Sequence, residues 1–229
     1  MKIAGLMKLT LLDFPGHVAC TIFLAGCNFR CPFCHNGSLV RGGDIDISRE
    51  ELFAFLKKRQ GVLDGVCITG GEPLMNADIA DLIREIRAIG YPVKLDTNGS
   101  YPERLDALIA EGLVDYVAMD IKNCPAEYAK ACGTAVDVEK IKKSVEILKS
   151  SGVEHEFRTT VVKGIHTADD VAECAKWLGE SEKYFLQCYK ESDDIISPDG
   201  LSAFSRDDLG EILTQAQKFN PNTALRGVD

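Results

Sequence analysis

Three of the chain's nine cysteines fall close together, in the run Gly26-Cys27-Asn28-Phe29-Arg30-Cys31-Pro32-Phe33-Cys34-His35-Asn36. Thiolates are the usual ligands of iron–sulfur clusters, and a compact loop can wrap several around one cluster. A cubane has four irons, so three nearby thiolates leave one iron without a cysteine. An electron carrier normally fills that place. A catalyst can keep it open for a substrate, as catalytic metal sites generally do. Two other readings compete: a structural zinc site built from the three cysteines and His35, and thiols that serve redox chemistry or the core. The spacing CxxxCxxC with His following at once is not the CxxC pairing of zinc ribbons. Ligand softness and this spacing point to the cluster.

A second group of residues could bind an organic ligand. In Gly70-Gly71-Glu72-Pro73, two glycines allow close backbone approach and Glu72 can accept from an ammonium group, although Gly and Pro also punctuate ordinary turns. Asp96-Thr97-Asn98-Gly99 carries oxygen donors. Its Asn-Gly pair would mark a hairpin elsewhere, but Pro102 opens a helix directly after it. Asp120, Lys122 and Arg158 stand in or at the ends of later predicted strands, as does Gln187, whose role the sequence leaves open. Asp13-Phe14-Pro15-Gly16 reads as a Pro-Gly turn. His17, His155 and His166 match no motif, nor do Cys20, Cys67, Cys124, Cys132, Cys174 and Cys188; all are expected to be ordinary surface or core residues.

The elements that must position these residues alternate in type. Short apolar runs at 18–24, 65–69, 93–97, 116–121, 156–162 and 184–189 predict buried strands. Between them lie helical periods. Ser48 and Glu51 form a capping box ahead of Leu52, Phe53 and Leu56, and Ile79, Leu82, Ile83, Ile86 and Ile89 repeat helically up to Gly90. Leu105, Leu108 and Ile109 follow Pro102. Two further helices carry Val138, Ile141, Val145 and Leu148, and then Val171, Ala175 and Leu178. Ser205 caps a C-terminal helix over about 205–219, bearing Leu209, Ile212, Leu213 and Ala216.

Six βα units in strict alternation imply an α/β fold with a parallel sheet. A complete eight-fold barrel typically takes about 250 residues, so 229 residues with six units predict a partial (β/α)6 TIM-like barrel, with a doubly wound sheet as the other topology the pattern allows. No linker or low-complexity segment divides residues 1–229, so a single domain is expected, with the cluster loop at 26–36. Nearly all the chemistry-bearing residues fall at the carboxyl ends of predicted strands, the face on which α/β barrels build active sites.

The composition excludes some partners. A formal net charge of −9 argues against nucleic acid, because phosphate binding needs concentrated Lys and Arg. No apolar run approaches the roughly 20 residues that span a bilayer, and no signal-peptide core follows Met1; a cytoplasmic location with no membrane partner is expected. Nine cysteines is an odd number, so disulfides cannot use them all.

CxxxCxxC with an aromatic residue just before the third cysteine resembles the signature of the radical S-adenosylmethionine (SAM) superfamily. The resemblance implies a 4Fe-4S cluster on Cys27, Cys31 and Cys34, whose open iron binds the amino and carboxylate groups of SAM. It places Phe33 and His35 near the adenine and Asn36 near the polar groups of SAM. Gly70, Gly71, Glu72 and Pro73 resemble the segment that holds the methionine ammonium. Asp96-Thr97-Asn98-Gly99 and Met119-Asp120-Ile121-Lys122 resemble paired segments of glycyl-radical activating enzymes, including the pyruvate formate-lyase activating type. By that likeness Asp96, Thr97, Asp120 and the Ala118 carbonyl would surround a monovalent cation, Asn98 and Arg158 would lie against SAM, and Asp13 and Lys122 would contact substrate. That type has a histidine where this chain reads Gln187-Cys188-Tyr189-Lys190, which leaves the role of the sixth predicted strand open.

From about Leu11 to Gln187 the chain looks closest to the anaerobic ribonucleoside-triphosphate reductase activating proteins. This implies reductive SAM cleavage to place a glycyl radical on such a reductase, with electrons from a flavodoxin-like donor. An activator of another glycyl radical enzyme and a radical SAM enzyme acting on a small molecule, such as a carboxydeazaguanine synthase, are the alternatives. Outside that family stand a non-catalytic electron carrier and a zinc-stabilised binding module.

Overall fold

The computed structural model describes residues 1–180 and 182–227. Eight strands form one sheet in sequence order: β1 (Ile3–Thr10), β2 (Ala19–Leu24), β3 (Gly65–Gly70), β4 (Val93–Thr97), β5 (Tyr116–Asp120), β6 (Glu154–Val161), β7 (Tyr184–Cys188) and β8 (Thr223–Arg226). Strands β2 to β8 run parallel, while β1 joins β2 antiparallel. β1 and β8 are the two ends of the sheet and do not pair with each other among the described residues, so the barrel is open between them.

Helices connect the strands: α1 (Gly37–Val40), α2 (Arg49–Lys58), α3 (Ile79–Ala88), α4 (Pro102–Ala110), α5 (Tyr128–Cys132), α6 (Val138–Ser151), α7 (Ala168–Leu178) and α8 (Arg206–Gln217). Their starts follow from local chemistry. Ser48 and Glu51 close the expected capping box on α2, Thr167 with Asp170 and Ser205 with Asp208 do the same for α7 and α8, and Pro102 opens α4. The apolar stripes then seat the helices on the sheet: Ile79, Leu82, Ile83 and Ile86 of α3 are all buried.

The six predicted strands are β2 to β7. The outer two strands escaped the pattern. β1 is an edge with three consecutive exposed residues, Leu6 being half-buried ahead of Met7, Lys8 and Leu9, and β8 has only four residues. β1 does begin with the non-polar stretch Ile3 to Met7, but Gly5 interrupts it, Lys8 ends it and Met7 to Leu9 are exposed, while β8 is too short to make a run. Among the described residues, no helix is long and apolar enough to cross a membrane.

Strand periodicity decides what enters the barrel. Alternate residues share a face, so Lys94 with Asp96, Ala118 with Asp120, and Glu156 with Arg158 stand on one side, while Leu95, Val117 and Phe157 join the apolar core. Parallel register sets Asp96 against Ala118 and Asp120 against Arg158. The interior is therefore polar and charged. Lower in the barrel, Glu156 accepts from both Nη1 and Nη2 of Arg226 at 2.7 Å and from Tyr116 Oη at 2.9 Å, which ties β8 to β6 and β5.

Candidate active site

A cavity of about 280 Å³ lies between the cluster loop and the carboxyl ends of the central strands, near the lower bound of small-molecule sites, which run from about 300 Å³ upward. Cys27, Cys31 and Cys34 line it together with Phe33, His35, Asn36, Gly70, Gly71, Asp96, Thr97, Asn98, Asp120, Lys122 and Arg158. Those residues span about 130 positions of sequence, and the barrel topology alone brings them to one place. Gln187, whose role the sequence left open, lines the cavity as well. Glu72, Pro73, Ala118 and Asp13 do not.

The cluster loop is held from several sides. Cys34 N donates to Cys31 O at 3.0 Å, which tightens the turn between these two cysteines. Phe29 N lies 3.4 Å from Cys27 Sγ, and Asn98 Nδ2 lies 3.9 Å from the same sulfur while donating to Asn28 Oδ1 at 3.0 Å. Asn28 in turn donates to Ser100 Oγ at 2.9 Å, so the loop is laced to the end of β4. On the other flank Arg30 N donates to Cys132 O at 2.8 Å, and the Cys132 thiol is hydrogen-bonded to Cys31. Burial pushes the Cys27 thiol up to about 12 and raises Cys34, whereas the bond from Cys132 draws Cys31 down.

The donor set suits a cluster better than a single ion. Among the described residues no three His, Cys, Asp or Glu side chains converge as ligands of one metal ion. A cubane takes each thiolate on a different iron, so its cysteines stand around a cavity. His35, the fourth ligand that a zinc site would need, donates through Nε2 to the Lys190 carbonyl. Among the described lining residues no fourth cysteine faces the cavity, as an open iron requires.

Gly70 and Gly71 bring two backbones together. Gly71 N donates to Leu24 O at 2.9 Å and Glu72 N to Gly26 O at 2.8 Å. A Cβ on Gly71 would stand 1.9 Å from Gly26 O, and Gly70 has φ +118° with Leu24 backbone at 2.4 Å from the Cβ position. The close approach is thus to the base of the cluster loop as well as to the cavity. Glu72 is fully buried, and its carboxylate accepts from Leu74 N at 3.0 Å, Thr97 Oγ1 at 2.8 Å and Asn98 N at 2.7 Å. It joins the ends of β3 and β4 behind the cavity wall.

Burial pushes the Glu72 carboxyl up to about 7, although its three donors pull the other way. The folded chain therefore binds this proton more tightly than the unfolded chain does. That contribution is complete below about pH 4.5 and is lost as the pH rises through about 7. Glu72→Gln, which keeps the shape and removes the titration, is expected to lose this pH dependence. Denaturant unfolding at a series of pH values should show the variant gaining on the parent by on the order of 3 kcal/mol from pH 4.5 to 7. A gap that stays constant across this range contradicts the assignment.

Charge is concentrated where β4, β5 and β6 end. Arg158 donates through Nε to Asp120 Oδ1 at 3.0 Å and through Nη1 to Asp96 Oδ2 at 3.2 Å, so one guanidinium bridges both carboxylates. Lys122 Nζ meets Asp120 at 3.0 Å and Lys94 Nζ meets Asp96. Burial would raise the Asp120 carboxyl, but Arg158 and Lys122 hold it down at about 2. Lys122 and Arg158 line the cavity beside Asp96 and Asp120, so charge there is balanced while both cations still offer donors to an anionic ligand group. A monovalent cation would have to share these carboxylates with three side chains. Thr97 is occupied too, since its Oγ1 donates to Glu72 and accepts from Gly99 N at 3.1 Å. Ala118 lies within β5, in register with Asp96 and Glu156.

Sequence reasoning assigned no role at the site to Asn28, Ser100 or Cys132. The bonds from Asn28 to Ser100 and from Asn98 to Asn28 join positions 70 or more residues apart, and no local period signals such contacts. Of the histidines, His166 is buried, its Nε2 donating to Lys122 O at 2.8 Å while its Nδ1 accepts from Val162 N at 3.1 Å. It braces the strand end that carries Lys122.

The sequence profile of the radical SAM superfamily matches residues 21–178. A protein of Methanocaldococcus jannaschii named "Putative glycyl-radical enzyme activating enzyme MJ1227" is 30% identical over 233 residues, covering 99% of this chain and 96% of its own. A 7-carboxy-7-deazaguanine synthase of Methanospirillum hungatei is 37% identical over 114 residues, covering 48% of this chain and 44% of the relative. Streptococcus suis SuiB bound to precursor peptide SuiA superposes with a TM-score of 0.69 at 16% identity, over 90% of this chain and 48% of that one, a likeness of fold. Matched by the profile along most of its length and by a relative end to end, with three cysteines lining one cavity, this chain belongs to the radical SAM superfamily, whose members use a 4Fe-4S cluster and SAM.

Proposed function

We propose that this enzyme cleaves SAM reductively to install a glycyl radical on a partner enzyme, and that the partner is an anaerobic ribonucleoside-triphosphate reductase. The observation that carries the reading is a second cavity, of about 540 Å³, at the gap in the barrel. Leu11, Leu12 and Asp13 after β1 form one side, and Arg226 and Gly227 at the end of β8 form the other. Asp96, Arg158 and Gln187 line this cavity and the first one alike, so the two cavities meet at these side chains. A path that begins at the open edge of the sheet suits an extended loop of a macromolecule, and the 90% exposed Leu12 offers apolar contact at its mouth. Asp13 stands there with its carboxylate accepting from Thr21 Oγ1 at 2.5 Å. The near full-length relative named as a glycyl-radical activator supports the same reading.

In this account Cys27, Cys31 and Cys34 hold the cluster, and Arg158 and Lys122, which line the cavity, offer donors to the SAM carboxylate. Phe33 and His35 flank the adenine, with Asn36 and Asn98 at the polar groups and the Gly70 to Pro73 segment shaping the methionine end. Held by these residues, a reduced cluster would supply one electron to the SAM sulfonium, whose carbon–sulfur bond would break with methionine as the leaving group, the chemistry needed for hydrogen-atom removal from glycine. The protein's task is to orient that glycine through the lateral cavity and to keep other hydrogen donors out. Residues 1–229 act as one catalytic unit in the cytoplasm, reduced by a flavodoxin-like protein.

A second reading, a radical SAM enzyme for a small molecule, draws on the partial match to a carboxydeazaguanine synthase. An anaerobic assay with candidate reductases separates them. The proposal expects deoxyadenosine formation coupled to an organic glycyl signal on the reductase by spin resonance. Deoxyadenosine formed with a small substrate, and no glycyl signal on any reductase, overturns it.

A further inference from the structure

We infer that Asp194 is a positioning residue for SAM binding, strapping residues 189–201 across the cluster loop and thereby fixing His35 and Asn36 in the cavity wall. The inference rests on the family's use of SAM and is independent of which partner receives the radical.

The local sequence leaves a gap that Asp194 fills. Helix α1 has four residues and begins with Gly37, a poor start for a short helix, whose nucleation is costly. Its N-cap, Asn36, makes no side-chain capping bond. The capping acceptor comes from a position 156 residues later in the chain: Asp194 Oδ1 and Oδ2 lie 2.8 and 2.9 Å from Ser38 N, and Oδ2 accepts from Ser38 Oγ at 2.7 Å. A carboxylate at a helix N-terminus is favourable both as acceptor and as charge. Arg41 Nη2 donates to Asp194 Oδ1 at 3.0 Å from the other end of α1. Asp194 O also accepts from Gly37 N at 3.1 Å, and a Cβ at position 37 would stand 2.4 Å from that oxygen. Glycine at 37 is what lets the strap lie this close.

Two more ties place the segment over the cluster loop. Ser197 N donates to Pro32 O at 2.9 Å, between Cys31 and Cys34 in sequence, and His35 Nε2 donates to Lys190 O. The His35 ring lies 5.5 Å from that of Tyr189. The far end is anchored by Lys163 N to Ser202 O at 3.0 Å. His35 and Asn36 sit between the Pro32 tie and the Asp194 tie, so their placement depends on both. Asp194 itself lies outside the cavity lining and acts through Gly37 and Ser38.

The test is Asp194→Ala, with Asp194→Asn as the conservative partner. Backbone hydrogen exchange of the protein without SAM is expected to quicken about tenfold or more within 35–41 and 189–198, while β2 to β7 stay protected. SAM binding to the cluster-loaded protein, measured by equilibrium dialysis, is expected to weaken about tenfold, with kcat for deoxyadenosine nearly unchanged and KM raised to match. Asp194→Asn, which keeps one acceptor oxygen, should recover part of both effects. Faster local exchange with unaltered SAM affinity overturns the proposal, because the strap would then be a fastening with no role in binding. So does a fall in kcat with unchanged KM. Should the alanine variant fail to fold, Ser38→Ala removes one donor to the same carboxylate and must show the same pattern on a smaller scale, about twofold to threefold in SAM affinity; no change there equally overturns it.

Discussion

Cys31→Ala is expected to abolish deoxyadenosine production while the barrel still folds. The loss should be about a thousandfold or more, the scale at which an indispensable catalytic group is removed. Cys31 lies in a loop, outside the strands and helices, and its neighbours are tied down independently through Arg30 N to Cys132 O and Asn98 to Asn28. Its removal costs the fold no more than a typical single substitution, about 1 kcal/mol. Circular dichroism and the denaturation midpoint report on the fold, and an anaerobic assay of deoxyadenosine reports on the chemistry. Production retained in this variant contradicts the cluster assignment. Unfolding of the variant contradicts the expectation that the barrel folds without the Cys31 side chain.

The second large effect is one of stability. Arg158→Met should cost about 3 kcal/mol, the lower end of the range for breaking a buried ion pair. One guanidinium serves two carboxylates, and its side chain is only 13% exposed. Asp120 retains 30% exposure, which keeps the cost from rising higher. The pH dependence gives the argument a signature. Asp120 is held at about 2, so its stabilising contribution is present above the usual aspartate range and lost as pH falls toward 2. The penalty of Arg158→Met should therefore be largest near neutral pH and shrink on acidification, as read from urea midpoints. Arg158→Lys restores the charge without the fork that spans Asp96 and Asp120, and should recover only part of the loss. A penalty that does not vary with pH contradicts the bridging role.

What could be read from the sequence follows from what local chemistry encodes. Strands β2, β3, β5 and β7 are mostly apolar because they are buried in a parallel sheet, β4 and β6 alternate apolar with polar residues because their polar face enters the barrel, and the stripes of α3 and α6 are strong because each helix has one face on that sheet. β1 and β8 carry no such signature, since an edge strand has one face and one side in solvent. The cavity was legible because its residues sit at strand ends, where the topology gathers them. Roles were harder. Glu72 has the chemistry to accept from an ammonium, yet its oxygens receive Leu74, Thr97 and Asn98. Asp96 and Asp120 are oxygen donors in sequence and members of an ion-pair network in the fold, because Arg158 from β6 reaches both. Cys132, expected to be an ordinary surface or core residue, is buried and stands against Cys31. Asp194 caps a helix far from it in sequence. Contacts of that kind depend on which loops cross, and no period of two or of 3.6 encodes a crossing.

The account depends most on an iron of the cluster that the protein leaves open. Anaerobically reconstituted protein should be analysed for iron and labile sulfide, and the spin-resonance spectrum of its reduced cluster recorded with and without SAM. Four irons and four sulfides per chain, with a spectrum that changes on adding SAM, is the predicted result. Zinc without labile sulfide, or a cluster whose spectrum ignores SAM, contradicts it.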